Sequence, residues 1–329
     1  MTLLPQNQHG CPYLFLAPME GVGDQTFRVA MTHIGGFDQA VRDFLRVPKN
    51  AHVVSLARQY RFDELGSIPL KAQIMGSDPE LMAEMAKELE RLKAPSVDLN
   101  CGCPSNTVNG RGAGSSLLKD PTHLHVVAKS IVNAVSIPVS VKIRSGYLDT
   151  SLYKEILHAV QESGANYITI HPRTKLEGYT PPANWDLIAQ AKSLLNIPVV
   201  GNGDILTIDD ALRMLKRTNC DALMIGRGSI INPFTFQEIK AHYSQEPFIS
   251  KVEDLERYLT VYQNQFHEQM TQRNKVNKLK QLLGFLFKGN DKLLELRNSI
   301  LTSKYQEPND LINFSLGLLI NNWNFRNYI

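Results

Sequence analysis

The sequence predicts an α/β fold, a (β/α)8 TIM barrel followed by a C-terminal all-helical domain. Three observations predict it. Eight short apolar runs occur between residues 13 and 226, amphipathic stretches lie between them, and only helical patterns follow residue 228. Apolar runs without strict alternation are typical of parallel strands that are buried on both faces. Eight such units fit a closed barrel, and an open doubly wound sheet is the alternative.

The eight predicted strands follow one another along the chain, and the second has the weakest pattern. They span residues 13–19, 37–44, 70–75, 96–100, 138–143, 166–171, 198–203 and 222–226. The helix predicted at 120–135 begins with Asp120 as its N-cap and Pro121 in its first turn, which are typical start signals.

The C-terminal part of the chain contains helical patterns alone, and they are clearest at 252–270 and 275–288. We therefore expect a barrel domain at 1–240 and a helical domain at 245–329. Net charge is only +3, but eight basic and two acidic side chains between Arg273 and Lys304 give a local balance of +6. The positive charge is therefore concentrated in the helical part.

Cysteine usage and the N-terminus indicate a reduced, cytoplasmic protein. The four cysteines, at positions 11, 101, 103 and 220, show neither a C-x-x-C spacing nor a paired zinc-ligand spacing. Cysteines one residue apart are poorly placed to form a disulfide with each other. The N-terminus lacks the basic start of a signal peptide, and no apolar run approaches the ~18 residues of a membrane span. We expect no membrane association and no metal.

Polar residues and glycines gather where the predicted strands end, which is where barrel enzymes place their active sites. They are Glu20, Gln73, Asn100, Lys142, Arg144, His171, Arg173, Asn202, Gly203, Asp204, Gly226, Arg227 and Gly228. A single one of these could be structural, since a lone histidine at a strand end is more often a core group than a ligand. Together they predict an active site.

The segments GNGD and IGRG follow the last two strands, where barrels often bind phosphate. Glycine lets the backbone approach an anion closely, and Arg227 can supply positive charge. The alternative is that these glycines only form tight turns. Gln73, Lys142 and His171 could surround a planar heterocycle, and a cation such as Lys142 would stabilise an anionic reduced flavin. Spacing alone does not establish a flavin, and no G-x-G-x-x-G follows the first strand.

Several sequence blocks carry a family resemblance. LAPMEGVGD, DLNCGCPSNTVNGRGAG, VSVKIRSG, IHPRTKLEGY, NGDI and MIGRG resemble, in order and spacing, the signature blocks of the tRNA-dihydrouridine synthases. They cover residues 15–228, and the N-C-G-C-P block is the most specific. The segment KLKQLLGFLFK is similar to the bacterial subfamily that acts on tRNA position 16.

The resemblance implies FMN-dependent reduction of the C5=C6 bond of a uridine in the tRNA D-loop, with NADPH as the reductant. We expect a monomer. The resemblance also implies that Cys103 is the general acid, which protonates C5 while hydride reaches C6. A thiol with an ordinary pKa of ~8.5 is mostly protonated at neutral pH and still gives up its proton readily. We expect Cys101 to be a small buried hydrophobic residue.

The remaining site residues are likewise implied by the resemblance. The expected FMN contacts are Pro18, Met19, Glu20, Gln73, Lys142, His171, Asn202, Gly203, Asp204, Gly226 and Arg227. The expected tRNA contacts are Arg46, Asn100, Arg144, Tyr179, Lys278, Lys280, Phe285 and Arg297. Two positions depart from the family pattern: Phe285 replaces an aromatic hydroxyl, and Arg297 lies one turn before the place of an expected arginine.

Three alternatives remain open at this point. The protein could be an FMN barrel oxidoreductase acting on a free small molecule, of the dihydroorotate-dehydrogenase or ene-reductase kind. It could also be a non-catalytic RNA-binding module that has kept the barrel. Finally, segment 275–288 could be an ordinary amphipathic helix whose lysines form its solvated face.

Overall fold

The computed structural model describes residue 4 and residues 7–104, 112–323 and 327–328. Its central element is a parallel sheet whose strands are β1 (Tyr13–Leu16), β2 (Gln39–Val41), β3 (Leu45–Arg46), β4 (Leu70–Met75), β5 (Val97–Cys101), β6 (Val139–Gly146), β7 (Tyr167–Thr174), β8 (Val199–Asn202) and β9 (Ala222–Ile225). They are ordered β2-β1-β9-β8-β7-β6-β5-β4-β3, and β2 also pairs with β4. The pairing of β2 with β4 closes an eight-membered barrel, so the predicted TIM barrel is confirmed.

The second barrel position is shared by two short strands. β2 pairs with the start of β4 and β3 pairs with its end, as the register Ala40↔Leu70 and Arg46↔Met75 shows. The interruption between β2 and β3 explains why this predicted strand has the weakest pattern. It also places Asp43 and Phe44 at the mouth of the barrel.

The lower part of the barrel interior is filled by packed side chains. Phe15, Tyr167, Val200 and Met224 belong to one buried cluster that is separate from the larger core between the strands and the surrounding helices. Buried apolar residues on both sides of the strands account for the runs without alternation. Because the interior is filled below, the open space lies at the carboxyl ends of the strands.

The helices that surround the barrel are α1 (Gln25–Ile34), α2 (Val53–Ala57), α3 (Pro79–Arg91), α4 (Pro121–Ala134), α5 (Tyr153–Glu162), α6 (Asp186–Leu194), α7 (Ile208–Thr218), α8 (Arg227–Ile231) and α9 (Thr235–Ser244). Asp120 accepts a hydrogen bond from His123 N, 3.0 Å away, and so caps α4 as predicted. Thr207 and Asp210 form a reciprocal capping box at the start of α7.

The C-terminal region contains α10 (Val252–Asn264), α11 (Gln272–Leu286), α12 (Asp291–Thr302) and α13 (Pro308–Asn322). The prediction of helices in this region is confirmed, with one addition: β10 (Phe248–Ile249) pairs antiparallel with β11 (Asn327–Tyr328). A two-residue ladder is too short to show as a sequence pattern. Within the described ranges, no helix has the length and apolar character needed to cross a membrane.

Candidate active site

A cavity of about 660 Å³ opens at the carboxyl ends of the barrel strands. All eleven expected cofactor contacts line it, together with Cys103 and four expected substrate contacts, Asn100, Arg144, Tyr179 and Phe285. The cavity is also lined by residues that the sequence reasoning missed, which are Ala17, Val22, Asp43, Phe44, Gly102, Pro104, Ile205, Leu206, Met224 and Ile230. The strand ends therefore bring the predicted groups into one site.

A chain of amide hydrogen bonds connects the barrel interior to the turn that carries Cys103. Gln73 Nε2 donates to Asp98 Oδ2 at 2.7 Å, and Asn100 Nδ2 donates to Gln73 Oε1 at 2.8 Å. Asn100 Oδ1 in turn accepts the backbone N–H groups of Gly102, at 3.0 Å, and Cys103, at 2.9 Å. The Asn100 side chain thus fixes the backbone of the N-C-G-C-P turn.

The two neighbouring thiols have different surroundings. Cys101 is fully buried on β5, and burial raises its pKa well above the ordinary value. Cys103 lines the cavity and packs against Phe44, Met75 and Ala113. The structure therefore gives Cys101 the expected environment of a packing residue and places only Cys103 at the site.

Lys142 is the cation at the centre of the site. Its ammonium donates to Asn202 Oδ1 at 3.1 Å, and Asn202 Nδ2 donates to Met224 O at 2.7 Å. Burial, assisted by the positive charge of Arg144, lowers the pKa of Lys142 to about 8. An ammonium has three hydrogens to donate, so Lys142 keeps donors for a ligand in the cavity.

A second cationic group lies at the ends of β7, β8 and β9. Arg173 donates to Asp204, and its Nη1 lies 3.1 Å from His171 Nε2. Arg227 lies 3.6 Å from the other oxygen of the Asp204 carboxylate. Burial, with the positive charge of Lys142 and the nearby arginines, lowers the pKa of His171 well below its ordinary value, so its ring is neutral at pH 7.

Two glycines of this region are required by close packing. A Cβ at Gly203, which has φ of +109°, would lie 2.8 Å from His171 Cδ2. A Cβ at Gly228 would lie 2.1 Å from Ile205 O, where the loops after β8 and β9 touch. These glycines let two loops approach each other and the cavity, which a larger residue would prevent.

Arg144 uses its donors mainly on backbone carbonyls of the protein, which the sequence alone did not indicate. Its guanidinium is buried and donates to Gly102 O at 2.7 Å, to Thr174 O at 3.0 Å and to Gly178 O at 2.7 Å. It also lies 5.0 Å from the centre of the Tyr179 ring. Arg144 therefore ties the Cys103 turn to the loop after β7 while it lines the cavity.

Asp43 is a cavity residue that the sequence reasoning missed. It lies between β2 and β3, and within the described part of the chain its Oδ1 is buried without a hydrogen-bond partner. Burial raises the pKa of this carboxyl to about 6. No sequence pattern marked it, because the break between the two short strands was not visible.

The predicted tRNA contacts in the helical region lie mainly outside the cavity. Lys278 bonds to Asp24 and to Thr26 Oγ1, and Lys280 donates to the carbonyls of Leu301 and Ser303 at 2.9 and 2.6 Å. These bonds are made within the protein, so contact with RNA would have to compete with them.

The remaining predicted tRNA contacts are divided between the two parts of the molecule. Phe285 lines the cavity, and Arg297 donates to the carbonyl of the adjacent Gly284 at 2.7 Å. Arg46 lies on β3, next to the mouth of the barrel but outside the cavity lining.

The cavity fits a flavin mononucleotide. It combines a central cation, Lys142, with an arginine that follows β9, Arg227, and with apolar walls from Met19 and Met224. Its volume is in the range of small-molecule and cofactor pockets. Across the described ranges, no three histidine, cysteine, aspartate or glutamate side chains are grouped as metal ligands would be.

A family model and individual relatives agree on the family that this chain resembles. The family model described as Dihydrouridine synthase (Dus) matches residues 15–315. The "tRNA-dihydrouridine(16) synthase" of Ralstonia nicotianae is 34% identical over 87% of this chain and 90% of its own length. The protein of the same name from Salmonella typhimurium is 35% identical over 87% of this chain and 94% of its own length.

Two solved structures with a similar fold are more distant in sequence. Histamine dehydrogenase from Rhizobium sp. 4-9 is 13% identical, with a TM-score of 0.52 over 75% of this chain and 48% of its own. A 2-naphthoyl-CoA reductase is 12% identical, with a TM-score of 0.53 over 71% of this chain and 50% of its own. At this identity the likeness concerns the fold alone.

Proposed function

The chain belongs to the dihydrouridine synthase family, which reduces uridine to dihydrouridine in tRNA, and we propose that it uses FMN and NADPH. The family is flavin-dependent. The observation that carries the proposal of FMN is the single cavity in which all eleven expected cofactor contacts meet Cys103. FMN bound there would supply the hydride that C6 of uridine receives, and NADPH would restore the reduced cofactor.

Cys103 is the proposed source of the proton that C5 of uridine receives. As the C5=C6 double bond is reduced, C5 takes this proton from the thiol, and the resulting thiolate is reprotonated from solvent. The bonds from the backbone of Gly102 and Cys103 to Asn100 keep the turn in place during this transfer. General acid catalysis requires this fixed position, because the donor must lie within hydrogen-bond reach of the carbon it protonates.

Lys142 and the group around Arg227 would hold the cofactor. The Lys142 ammonium would stabilise negative charge on the reduced ring system, and Arg227 would attract the phosphate. His171, neutral at pH 7, offers a hydrogen bond without adding a further charge. The expected contacts of Pro18 and Met19 would close the site from the β1 side.

We further propose position 16 of the D-loop as the target. Relatives from Ralstonia, Salmonella and Neisseria carry this position in their names, and the match to the Ralstonia relative extends over 87% of the chain. A uridine must leave the RNA stack to enter the cavity, and this extrusion costs a few kcal/mol. The helical domain at 245–329 would hold the tRNA body while the barrel domain at 1–240 carries out the reaction.

Residues in and beside the cavity would contact the RNA. Asn100, Arg144, Tyr179 and Phe285 line the cavity and would surround the extruded base, whereas Arg46, on β3 outside the lining, would help to set how the tRNA sits. We propose that the enzyme acts as a monomer in the cytoplasm, where its tRNA substrate is found.

The experiment that tests the proposal has two readings. The purified protein is denatured and its released flavin is identified; FMN is expected, and FAD or the absence of flavin after reconstitution would contradict the cofactor. The reduced protein is then incubated with unmodified tRNA transcripts, and dihydrouridine is mapped by position. Product at position 16 is expected, whereas product at another D-loop position would overturn the target but not the reaction.

A further inference from the structure

The amide chain at the site ends on groups of opposite hydrogen-bonding character. At its inner end lies the carboxylate of Asp98, which accepts from Gln73 Nε2 at 2.7 Å. At its outer end the backbone N–H groups of Gly102 and Cys103 donate to Asn100 Oδ1 at 3.0 and 2.9 Å. An ionised carboxylate can only accept and a backbone N–H can only donate.

These two ends fix the orientation of both amides between them. Because Asp98 accepts, Gln73 must point its NH2 group inward and its oxygen outward. The oxygen of Gln73 then accepts from Asn100 Nδ2 at 2.8 Å, so Asn100 must point its own oxygen at the Cys103 turn. If either amide were reversed, donors would face donors or acceptors would face acceptors at both of its neighbours.

The interior of the barrel supports the carboxylate. Ser140 Oγ donates to Asp98 Oδ1 at 2.5 Å, and Lys71 Nζ donates to Ser140 Oγ at 3.1 Å. Lys71 is buried below the site, against the rings of Tyr167, at 4.2 Å, and Phe15, at 5.4 Å. Burial raises the pKa of Asp98, and the charge of Lys71 opposes that rise, so the lysine favours the ionised carboxylate.

We propose that Asp98 is a positioning and specificity-determining residue, which acts through Gln73 and makes Asn100 present an N–H group to the bound base. The inference rests on the proposed function and goes beyond it, since Asp98 does not line the cavity. Asn100 Nδ2 carries two hydrogens. One is used by Gln73, and within the described ranges the other has no protein partner.

The consequence is discrimination between pyrimidines. Cys103 protonates C5, and the neighbouring C4 carries a carbonyl oxygen in uracil but an amino group in cytosine. An N–H from Asn100, which is bonded to the turn of Cys103, complements the carbonyl and opposes the amino group. Asp98, which accepts from Gln73 two amides away, therefore favours uracil, because a ligand that leaves buried polar groups of the site unpaired is rejected strongly.

The test measures the oxidation of the reduced protein by saturating unmodified tRNA transcript, together with tRNA affinity and thermal stability. In Asp98→Asn the inner end can donate as well as accept, so the orientation of Gln73 is no longer fixed from the inside and that of Asn100 rests on the Cys103 turn alone. We expect the oxidation rate to fall roughly tenfold to hundredfold, with little change in tRNA affinity. Ser140→Ala removes the donor to the other oxygen of Asp98 but leaves Gln73 its acceptor, so it is expected to lower stability and to slow the oxidation less than Asp98→Asn does.

A double-mutant cycle separates direction from simple packing. Gln73→Glu places two carboxylates against each other, and adding Asp98→Asn gives the new glutamate a donor and restores an acceptor for Asn100. We therefore expect Asp98→Asn to slow the wild-type protein and to accelerate the Gln73→Glu protein. This reversal of sign does not depend on what Gln73→Glu itself does to the cofactor.

The outcomes divide clearly. If wild-type protein forms no dihydrouridine, the proposed function fails. If wild type reacts and Asp98→Asn is as fast, or if Asp98→Asn slows both backgrounds, the inference about Asp98 is wrong. Should Asp98→Asn alone fail to fold, the Gln73→Glu pair decides. A double variant that does not fold also counts against the inference, because in that variant each amide and carboxylate between residue 98 and Asn100 is expected to have a hydrogen-bond partner.

Discussion

The barrel mouth and the C-terminal helices both contain lysines on which the function was predicted to depend, but the two regions use them differently. Lys142 lines the cavity, and among the residues that the structure describes it donates to one partner, Asn202, at 3.1 Å. Lys278 and Lys280 lie on α11, and each makes two bonds within the protein. A lysine that retains donors toward a cavity is available to a ligand, whereas one whose donors are used internally first holds the fold together.

The largest effect is expected at Cys103, the residue of the barrel mouth that we propose takes part in the reaction itself. Cys103→Ala removes the proton donor, so uridine reduction should fall by roughly 10²- to 10⁴-fold. Flavin content and NADPH oxidation should remain, because the cofactor contacts are unchanged. The measurement is the rate at which tRNA oxidises the reduced flavin in a single turnover.

Cys101→Ala is the matched control for the same substitution two residues away. Cys101 is fully buried and lies outside the cavity, so its loss should cost packing stability and leave the rate near that of wild type. If Cys101→Ala were the inactive variant, the assignment of the two thiols would be reversed.

The next effect concerns the charge of Lys142. Burial lowers its pKa to about 8, so the ammonium is charged below that pH and loses its charge above it. A bound anionic cofactor raises this pKa, so we expect flavin reduction by NADPH to slow as the pH rises through 8 or somewhat above. Lys142→Met should be slower by about tenfold and should lose this pH dependence. Anaerobic stopped-flow absorbance measures both, and an identical pH profile in the variant would exclude Lys142 as the titrating group.

The barrel mouth was largely predictable from the sequence, and the reason is geometric. Parallel strands deliver their carboxyl ends to one face, so polar groups there converge without any knowledge of loop paths. Asp43 was missed because it lies in the break between β2 and β3, which no local pattern marks. Asp98 was missed because its role depends on Gln73 and Ser140, which are distant in sequence and adjacent only across the barrel.

The helical region was less predictable for a related reason. Its helices were found, but the partner of Lys278 is Asp24, which precedes it by 254 residues. A local excess of positive charge cannot show which cations are already paired. The alternative of a merely solvated face is also not what the structure contains, since Lys278 and Lys280 are partly buried and bonded.

Lys278 therefore offers a smaller, structural test of the comparison. Its bond to Asp24 joins α11 to the start of α1, with the two side chains 21% and 38% exposed. Partly exposed ion pairs contribute about 0.2–1 kcal/mol, so Lys278→Ala should lower the free energy of unfolding by about that amount. Urea denaturation measures it, and a double-mutant cycle with Asp24→Asn isolates the pair. If stability is unchanged while tRNA binding weakens, Lys278 serves the RNA and its bond to Asp24 is incidental.

The smallest effect is expected at a cation that remains exposed. Lys288 follows α11 with its ammonium 5.2 Å from the centre of the Phe285 ring, and Phe285 lines the cavity. We expect a tRNA whose target base occupies the cavity to pass close to Lys288, because Phe285 lines that cavity. Lys288→Ala would remove one phosphate contact. It should reduce the log–log slope of tRNA affinity against salt concentration by about 0.7–0.9, with only a severalfold loss of affinity.

Lys216→Ala is the control that distinguishes a local phosphate contact from an effect of net charge. Lys216 is also exposed, but it lies near the C-terminal end of α7, at the opposite face of the barrel from the cavity. The same charge is removed from the whole molecule in both variants, so a long-range effect of net charge would reduce both slopes equally. A lower slope for Lys288→Ala alone places a phosphate beside Phe285. Equal slopes in both variants would mean that Lys288 acts on tRNA only through the overall charge of the molecule, and the contacts that fix the target uridine would then have to be sought on the barrel rim around Arg46.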